Sequence, residues 1–369
     1  MLRYVIGLLF LLGGILTADA GEPQGTCWVA AIAMNQDPEF SEDWNQYAEE
    51  AALVFSNQSG QVFADVKFRT VLGRQATLRG MEDAVRWAFT SARKGDLVVV
   101  YLTCHGGTTR KEGWGIDTMD GQLVYGRDLK MAAAQVACPV IFLIDSCESG
   151  GFAREHKRDV ALPDNCVAFC SSRARQSTTN VLNIAFHEAL WGAGDTNDDG
   201  FVQIDELKQY VESRSLRLSP KAEDSQKAER PVVVIGSQVD GTLRLTKRSE
   251  ELVAVVHERE WHLARVVKSA GEGRGENVTL HALGYQDQPD KGFYLFTEIP
   301  KQRVFKLEEG TVPVLLTEEG KTLPALAIDR SPGRVTIRLP LNPRKPPREV
   351  DRDAIRFPFP LGPGWNEAE

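Results

Sequence analysis

The sequence predicts an α/β domain with a mostly parallel six-stranded sheet and helices on both faces, followed by a small β-rich domain. Three observations carry that prediction. The runs Leu97-Val98-Val99-Val100-Tyr101-Leu102 and Val140-Ile141-Phe142-Leu143-Ile144 are apolar without alternation, as strands covered on both faces require. From Cys27 to about Ser237, short β-branched runs alternate with longer amphipathic stretches, which is the pattern of a doubly wound sheet. After about residue 247 the pattern shifts to short alternating segments, the period of half-buried strands. At 369 residues and 42% hydrophobic content the chain can hold one sizeable domain and a smaller second unit.

Taken in order, the N-terminus shows Arg3, an apolar run from Tyr4 to Leu16, and Thr17-Ala18-Asp19-Ala20. A single positive charge, a short apolar core and an Ala-x-Ala end predict a signal peptide over residues 1–20, cleaved after Ala20, and a run too short to span a bilayer. The expected location is therefore secreted or periplasmic, with no stable membrane span once the signal is removed. An uncleaved N-terminal anchor is the alternative. Residues 21–247 form the α/β domain. Its predicted strands are Cys27–Met34, Val62–Phe68, Asp96–Thr103, Pro139–Asp145, Cys166–Ser171 and Pro231–Ile235. Its predicted helices are Trp44–Ser56, Leu78–Ala92, Gly126–Val136, Val181–Gly192 and Ile204–Ser213. Between Gly113 and Tyr125, the Asp120-Gly121 pair flanked by apolar residues predicts a hairpin on the rim of the sheet.

Lys221 to Arg230 is a charged surface loop, and the domain boundary falls near Lys247–Glu251. Beyond it two stretches resemble each other. Trp261-His262-Leu263-Ala264, Val278-Thr279-Leu280-His281 and Ile299-Pro300 recur in order as Lys321-Thr322-Leu323-Pro324, Val335-Thr336-Ile337-Arg338 and Ile355-Arg356. They read as two small barrels of the SH3 or Tudor sort, at 251–305 and 306–360 within a 251–369 domain that binds a protein partner. One irregular β-domain is the alternative.

A formal net charge of -8 and a pI near 5.5 argue against nucleic acid as a partner. Of the six cysteines, Cys27, Cys104, Cys138, Cys166 and Cys170 sit in or beside apolar runs and read as buried thiols. Cys166 and Cys170 are about 13 Å apart at strand rise, too far to pair with each other.

Cys147 differs from those five. It follows the apolar run in Asp145-Ser146-Cys147-Glu148-Ser149-Gly150-Gly151, as Cys104-His105-Gly106-Gly107 follows the run before it. In an open parallel sheet the carboxyl ends of the strands form the ligand crevice, so neighbouring strands would deliver His105 and Cys147 side by side. A thiol is mostly protonated at neutral pH, and a facing imidazole that accepts its proton makes it a nucleophile. Attack on a carbonyl builds an oxyanion, for which the backbone amides of Gly106 and Cys147 are the candidate donors.

Strand-His-Gly followed by strand-Asp-x-Cys-x-Ser-Gly resembles the caspase and metacaspase group of cysteine peptidases, over about Cys27 to Ser237. The resemblance implies a caspase-like sheet, a Cys-His dyad acting on protein or peptide substrates, and no organic cofactor. It also implies that Asp145 lines the pocket for the substrate side chain before the cut bond, hence cleavage after Arg or Lys, with Glu50 and Ser171 in the same pocket. The family's second acidic residue is usually an Asp-Ala pair on the first helix, where this chain has Glu50-Ala51. Members often cut themselves in the loop corresponding to 152–159, where Arg154, Lys157 and Arg158 would suit. Two other readings stand beside this one: a catalytically inactive module of the same fold that binds partners, and a thiol hydrolase acting on esters.

Residues 195–206, Asp-Thr-Asn-Asp-Asp-Gly-Phe-Val-Gln-Ile-Asp-Glu, place Asp195, Asn197, Asp199, the carbonyl of Phe201, Gln203 and Glu206 at the ligand positions of an EF-hand loop. Gly200 falls at the sharp turn. Hard oxygen donors predict one Ca2+, as a clip on the last helix or as a switch. An acidic helix-capping turn that binds nothing is the alternative.

Overall fold

The computed structural model describes residues 23–34, 38–109, 112–153, 160–174, 176–178, 181–219 and 230–248, and beyond these the strands between 252 and 356. In chain order the first elements are β1 (Gln24–Met34), α1 (Pro38–Ser56), β2 (Phe63–Leu72), α2 (Leu78–Ser91) and β3 (Leu97–Cys104). A small three-stranded sheet follows, of β4 (Gly106–Thr109), β5 (Gly113–Asp117) and β6 (Leu123–Tyr125), then α3 (Gly126–Ala133). Next come β7 (Val140–Asp145), the one-turn α4 (Gly150–Ala153), β8 (Cys166–Cys170) and α5 (Val181–Glu188). The domain closes with β9 (Phe201–Gln203), α6 (Ile204–Leu218), β10 (Val232–Ile235) and β11 (Arg244–Lys247).

The six long strands line up as β10-β8-β7-β3-β1-β2. All neighbours are parallel except β10, which runs antiparallel to β8. Every side chain of β3 and β7 is buried, because helices cover both faces and leave these central strands no contact with water. Alternation sorts them. Leu97, Val99 and Tyr101 of β3 and Ile141 and Leu143 of β7 join a core with α1, α5 and α6. Val98, Val100, Leu102 and Cys104, with Val140, Phe142 and Ile144, join a second core with α2 and α3. The expected mixed six-stranded α/β sheet is present. Five cysteines are buried in these cores, and none of the six is disulfide-bonded.

Two local departures from expectation have physical reasons. The predicted 113–125 hairpin gains a third strand, since Gly106–Thr109 leaves β3 directly and pairs with β5. Two glycines made that segment look like a loop, yet Gly115 backs onto Tyr125, leaving no room for larger side chains. The helix expected to run from Val181 to Gly192 ends at Glu188 and loosens into a wider π-type turn, Ala189–Ala193, closed by Gly192 at φ +113. Among the described residues no helix is long and apolar enough to cross a membrane.

The C-terminal strands are β12 (Leu252–His257), β13 (Glu260–Lys268), β14 (Asn277–Ala282), β15 (Leu295–Pro300) and β16 (Val304–Lys306), then β17 (Val312–Glu318), β18 (Lys321–Ser331), β19 (Arg334–Arg338), β20 (Arg348–Asp351) and β21 (Ile355–Arg356). They make two five-stranded antiparallel sheets, ordered β15-β14-β13-β12-β16 and β20-β19-β18-β17-β21. Each is a meander of four strands whose fifth strand returns beside the first. The expected signal peptide (1–20), the candidate cleavage residues Arg154, Lys157 and Arg158, and most of the 221–230 loop lie outside the described residues.

Candidate active site

Register decides whether His105 and Cys147 can meet. Strand β3 pairs with β7 with Val98 opposite Val140 and Thr103 opposite Asp145, an offset of 42. His105 and Cys147 are also 42 apart, so both leave their strands at the same level of adjacent parallel strands, which lie about 4.8 Å apart. Alternation supplies the side: Tyr101 of β3 and Leu143 of β7 face the α1 core, so Asp145 and His105, even-numbered steps further on, are directed to that face too. His105 accordingly touches α1, with the Trp44 ring centroid 4.9 Å from its imidazole. His105 is exposed and Cys147 half-buried, the accessibility a nucleophile and its base need.

The segment carrying Cys147 is a tight turn clamped from below. Ser149 and Gly151 donate back to the carbonyls of Ser146 and Glu148 at 3.3 and 2.8 Å, and Gly150 donates to Ser172 O at 2.7 Å. Glu148 sits at φ +56, which costs a residue with a Cβ about 1–2 kcal/mol. The turn recovers this cost with two bonds: Glu148 N donates to Gln176 O at 2.7 Å, and the Glu148 carboxylate accepts from Thr108 N at 2.9 Å. That second bond ties the strand following His105 to the turn bearing Cys147. Buried Trp114 adds another tie, its Nε1 donating to Cys147 O at 3.3 Å.

Gly106 lies in this junction. A Cβ there would stand 2.7 Å from Ser146 Oγ and 3.1 Å from both Cys147 O and Trp114 Nε1. Glycine is thus required by close approach of the His segment to the Cys turn. The two amides predicted to serve an oxyanion, Gly106 and Cys147, flank this junction.

Two buried acids lie on the α1 side of the sheet. Asp145 is 3% exposed, and its Oδ1 accepts from Thr178 Oγ1 at 3.2 Å. Glu50 on α1 is 4% exposed; Gln46 donates to its Oε1 at 2.8 Å, while its Oε2 is buried without a partner. Desolvation, assisted by the neighbouring charge of Glu49 and opposed by Gln46, raises the Glu50 carboxyl to about 7. The buried Tyr101 hydroxyl donates to Asn183. Its ionisation is pushed up first by burial and then by the charges of Asp145 and Glu50 among others, which puts both acids within electrostatic reach of one phenol. Burial, with Asp145 next, also pushes the Cys104 thiol far up. Cys104 faces the opposite core and is inert packing.

Ser171 was expected in the same pocket. It is fully buried, and its hydroxyl is spent on the turn: it donates to Ser146 O and accepts from Ser146 N, both at 3.1 Å. With Ser172, which donates to Ser146 O at 3.2 Å, it supports the Cys147 turn from below. Sequence reasoning missed Trp44, Trp114 and Glu148. Trp44 and Trp114 reach the site only through tertiary packing. The signal for Glu148 was present in the short turn between a Cys and Ser-Gly-Gly.

The 195–206 loop holds its predicted donors in an Asx-type wrap. Asp195 accepts from Asp199 N and Gly200 N at 3.1 and 3.0 Å, Asn197 from Asp199 N at 2.9 Å, and Asp199 from Phe201 N at 2.9 Å. Gln203 donates its side-chain amide to Asp199 at 2.9 Å. Glu206 accepts from the amides of Thr196, Asn197 and Gln203 at 3.0, 3.2 and 3.1 Å, completing a capping box at the start of α6. Gly200 takes φ +88, as the sixth position of such a loop needs. Donor types and turn fit a hard divalent cation. Among the described residues, however, no three carboxylate, imidazole or thiol groups converge as a ready-made cage, because these carboxylates are engaged by loop amides and by Arg248.

A family model described as the caspase domain (Peptidase_C14) matches residues 57–243, half of the chain. The match includes His105, Asp145, Cys147 and the acidic loop, and begins after Trp44 and Glu50. No curated protein matches the chain. Among solved structures, protein GSU0716 from Geobacter sulfurreducens, a structural-genomics target, is similar at 15% identity and a TM-score of 0.42. That similarity covers 61% of this chain and 98% of the other.

Proposed function

Because the chain belongs to the caspase-domain family of cysteine peptidases, we propose that it is an endopeptidase in which Cys147 is the nucleophile, His105 the proton carrier, and Asp145 with Glu50 the holders of a basic substrate side chain. The observation that carries this is the common level of His105 and Cys147 at the ends of β3 and β7. His105 takes the thiol proton as sulfur attacks the peptide carbonyl, and the amides of Gly106 and Cys147 donate to the resulting oxyanion. The imidazolium then protonates the departing amine, leaving a thioester on Cys147. Water, deprotonated by His105, hydrolyses that thioester and restores the thiol.

Specificity for Arg or Lys is supported by the two acids on the α1 face. A partner-free buried Glu50 oxygen is costly unless something cationic satisfies it, and a guanidinium or ammonium would. The same proposal includes one Ca2+ at the 195–206 loop, export of the chain, and a protein partner for the C-terminal sheets, whose matching strand orders support a pair of repeats.

A fluorogenic peptide panel with Arg, Lys or Asp before the reporter, run with and without calcium, tests this. Hydrolysis of the Arg and Lys peptides that disappears in Cys147→Ala is expected. Preference for Asp would overturn the assignment of the pocket. No hydrolysis of any peptide by folded protein, with no alkylation of Cys147, would leave the chain a partner-binding module of the same fold.

A further inference from the structure

The chain leaves the peptidase domain across the acidic loop. Strand β11 runs antiparallel to β9, with Lys247 opposite Phe201, and the next residue, Arg248, donates its backbone N–H to Gly200 O at 2.8 Å. Its guanidinium then reaches into the loop. Nη1 lies 3.1 Å from Asp195 Oδ2 and 2.6 Å from Asp198 Oδ1. The Asp195 carboxylate is completely covered, while that of Asp198 is mostly in solvent.

The surroundings are shaped to admit this side chain. Gly192, at φ +113, closes the π-type turn directly under its stem, where a Cβ would stand 2.5 Å from Arg248 Cγ and 3.1 Å from its Cβ. Side chain, backbone and the glycine beneath therefore hold one cation against the first donor of the loop. Asp198, in the left-handed region at φ +62, takes the same guanidinium from the rim.

We propose that Arg248 is a built-in counter-ion that competes with a divalent cation for Asp195, so that metal occupancy of the loop is coupled to the point where the chain exits towards the C-terminal sheets. This rests on the calcium assignment above. The Asp195 oxygen that receives the guanidinium cannot also ligate a dication, because the two positive charges would lie within a few ångströms of each other with little water between them. Entry of the metal requires the Arg248 side chain to swing off Asp195, while pairing of β9 with β11 can persist. Without metal the arginine offsets part of the loop's negative charge at Asp195 and Asp198, and loading is weakened by the cost of displacing it.

The test is calorimetric titration with CaCl2 of the full chain carrying Cys147→Ala, compared with the same chain carrying Arg248→Gln or Arg248→Lys, together with melting in EDTA. Arg248→Gln is expected to bind Ca2+ about tenfold more tightly, the ratio that about 1.4 kcal/mol gives. It is also expected to melt lower than the parent in EDTA and to gain more from calcium than the parent does, because its tighter binding stabilises the folded state more at the same concentration. Arg248→Lys, which keeps the positive charge but places it on a mobile, strongly hydrated ammonium in place of the rigid guanidinium fork, should fall between, and it decides the matter should the glutamine variant fail to fold. Equal affinities in parent and variants would overturn the competition and leave the calcium assignment standing. Folded variants that bind no calcium at millimolar concentration would overturn both.

Discussion

Gly106→Ala tests the contact between the His105 segment and the Cys147 turn. The added methyl would sit 2.7 Å from Ser146 Oγ and 3.1 Å from Cys147 O, where ordinary contact begins at 3.4 Å. Ser146 Oγ can rotate away, losing its 3.3 Å bond to Cys147 O. The Cys147 carbonyl cannot move alone, because Trp114 Nε1 donates to it and would itself stand 3.1 Å from the added methyl, so the His-bearing segment must shift by a few tenths of an ångström. Overpacking at a tight junction costs about 1–2 kcal/mol. A misplacement of about 1 Å at a reacting centre costs roughly a hundredfold in rate, so this shift predicts a fall of about tenfold in kcat/KM on an Arg peptide. Gly107→Ala is the control, since nothing lies within 4 Å of its added Cβ; it should stay within about 0.5 kcal/mol of wild type and retain activity. Denaturant unfolding and steady-state hydrolysis read both quantities. Full activity and stability in Gly106→Ala, or equal damage from Gly107→Ala, would refute the close junction.

Glu50 is protonated up to about pH 7 in the folded chain against 4.5 for a free glutamate. The folded state therefore binds the extra proton between those values, and stability should fall as pH rises from about 4.5 through 7; Glu50→Gln should flatten that limb in pH-dependent melting. The same ionisation should lower KM for Arg peptides as pH rises through 7, an effect absent in Glu50→Gln. His187, fully buried among Tyr47, Tyr101 and Phe186, is pushed by burial from 6.5 down to about 3. Here the unfolded chain binds the extra proton, so stability should drop as pH falls from about 6.5 towards 3. His187→Phe should lose some stability at pH 7 through its bond to the Tyr47 backbone, yet flatten the acid limb. Trp44→Leu, which removes the ring against His105, should reduce kcat more than it changes KM, and Trp44→Phe should restore part of the loss.

The sheet was legible because its central strands are apolar on both faces: Leu97–Leu102 and Val140–Ile144 cannot be read as amphipathic helices, and the strand ends followed from where polarity returns. His105 and Cys147 stood out for the same reason, as chemistry-bearing residues placed where an apolar run stops. Local sequence could not show that Thr103 pairs with Asp145 rather than with a neighbour, and this register puts the two groups level. The bonds of Ser171 to the Ser146 backbone were not legible in sequence, because a strand-end serine looks identical whether it lines a pocket or spends its hydroxyl on a turn. Arg248 was invisible as part of the acidic loop, being 53 positions from Asp195, and only the pairing of β9 with β11 brings it back. The donor spacing of the loop was plain in sequence, whereas the engagement of those donors by amides depends on the folded turn.

Competitive alkylation tests the His105–Cys147 partnership most directly, because five buried thiols in the same chain serve as internal references. The folded protein is treated with limiting iodoacetamide at neutral pH, and modification is read cysteine by cysteine by mass spectrometry in wild type and His105→Ala. Rapid labelling confined to Cys147, slowed at least tenfold by loss of the imidazole, is the predicted result. Labelling of Cys147 at the same rate in both proteins would contradict it.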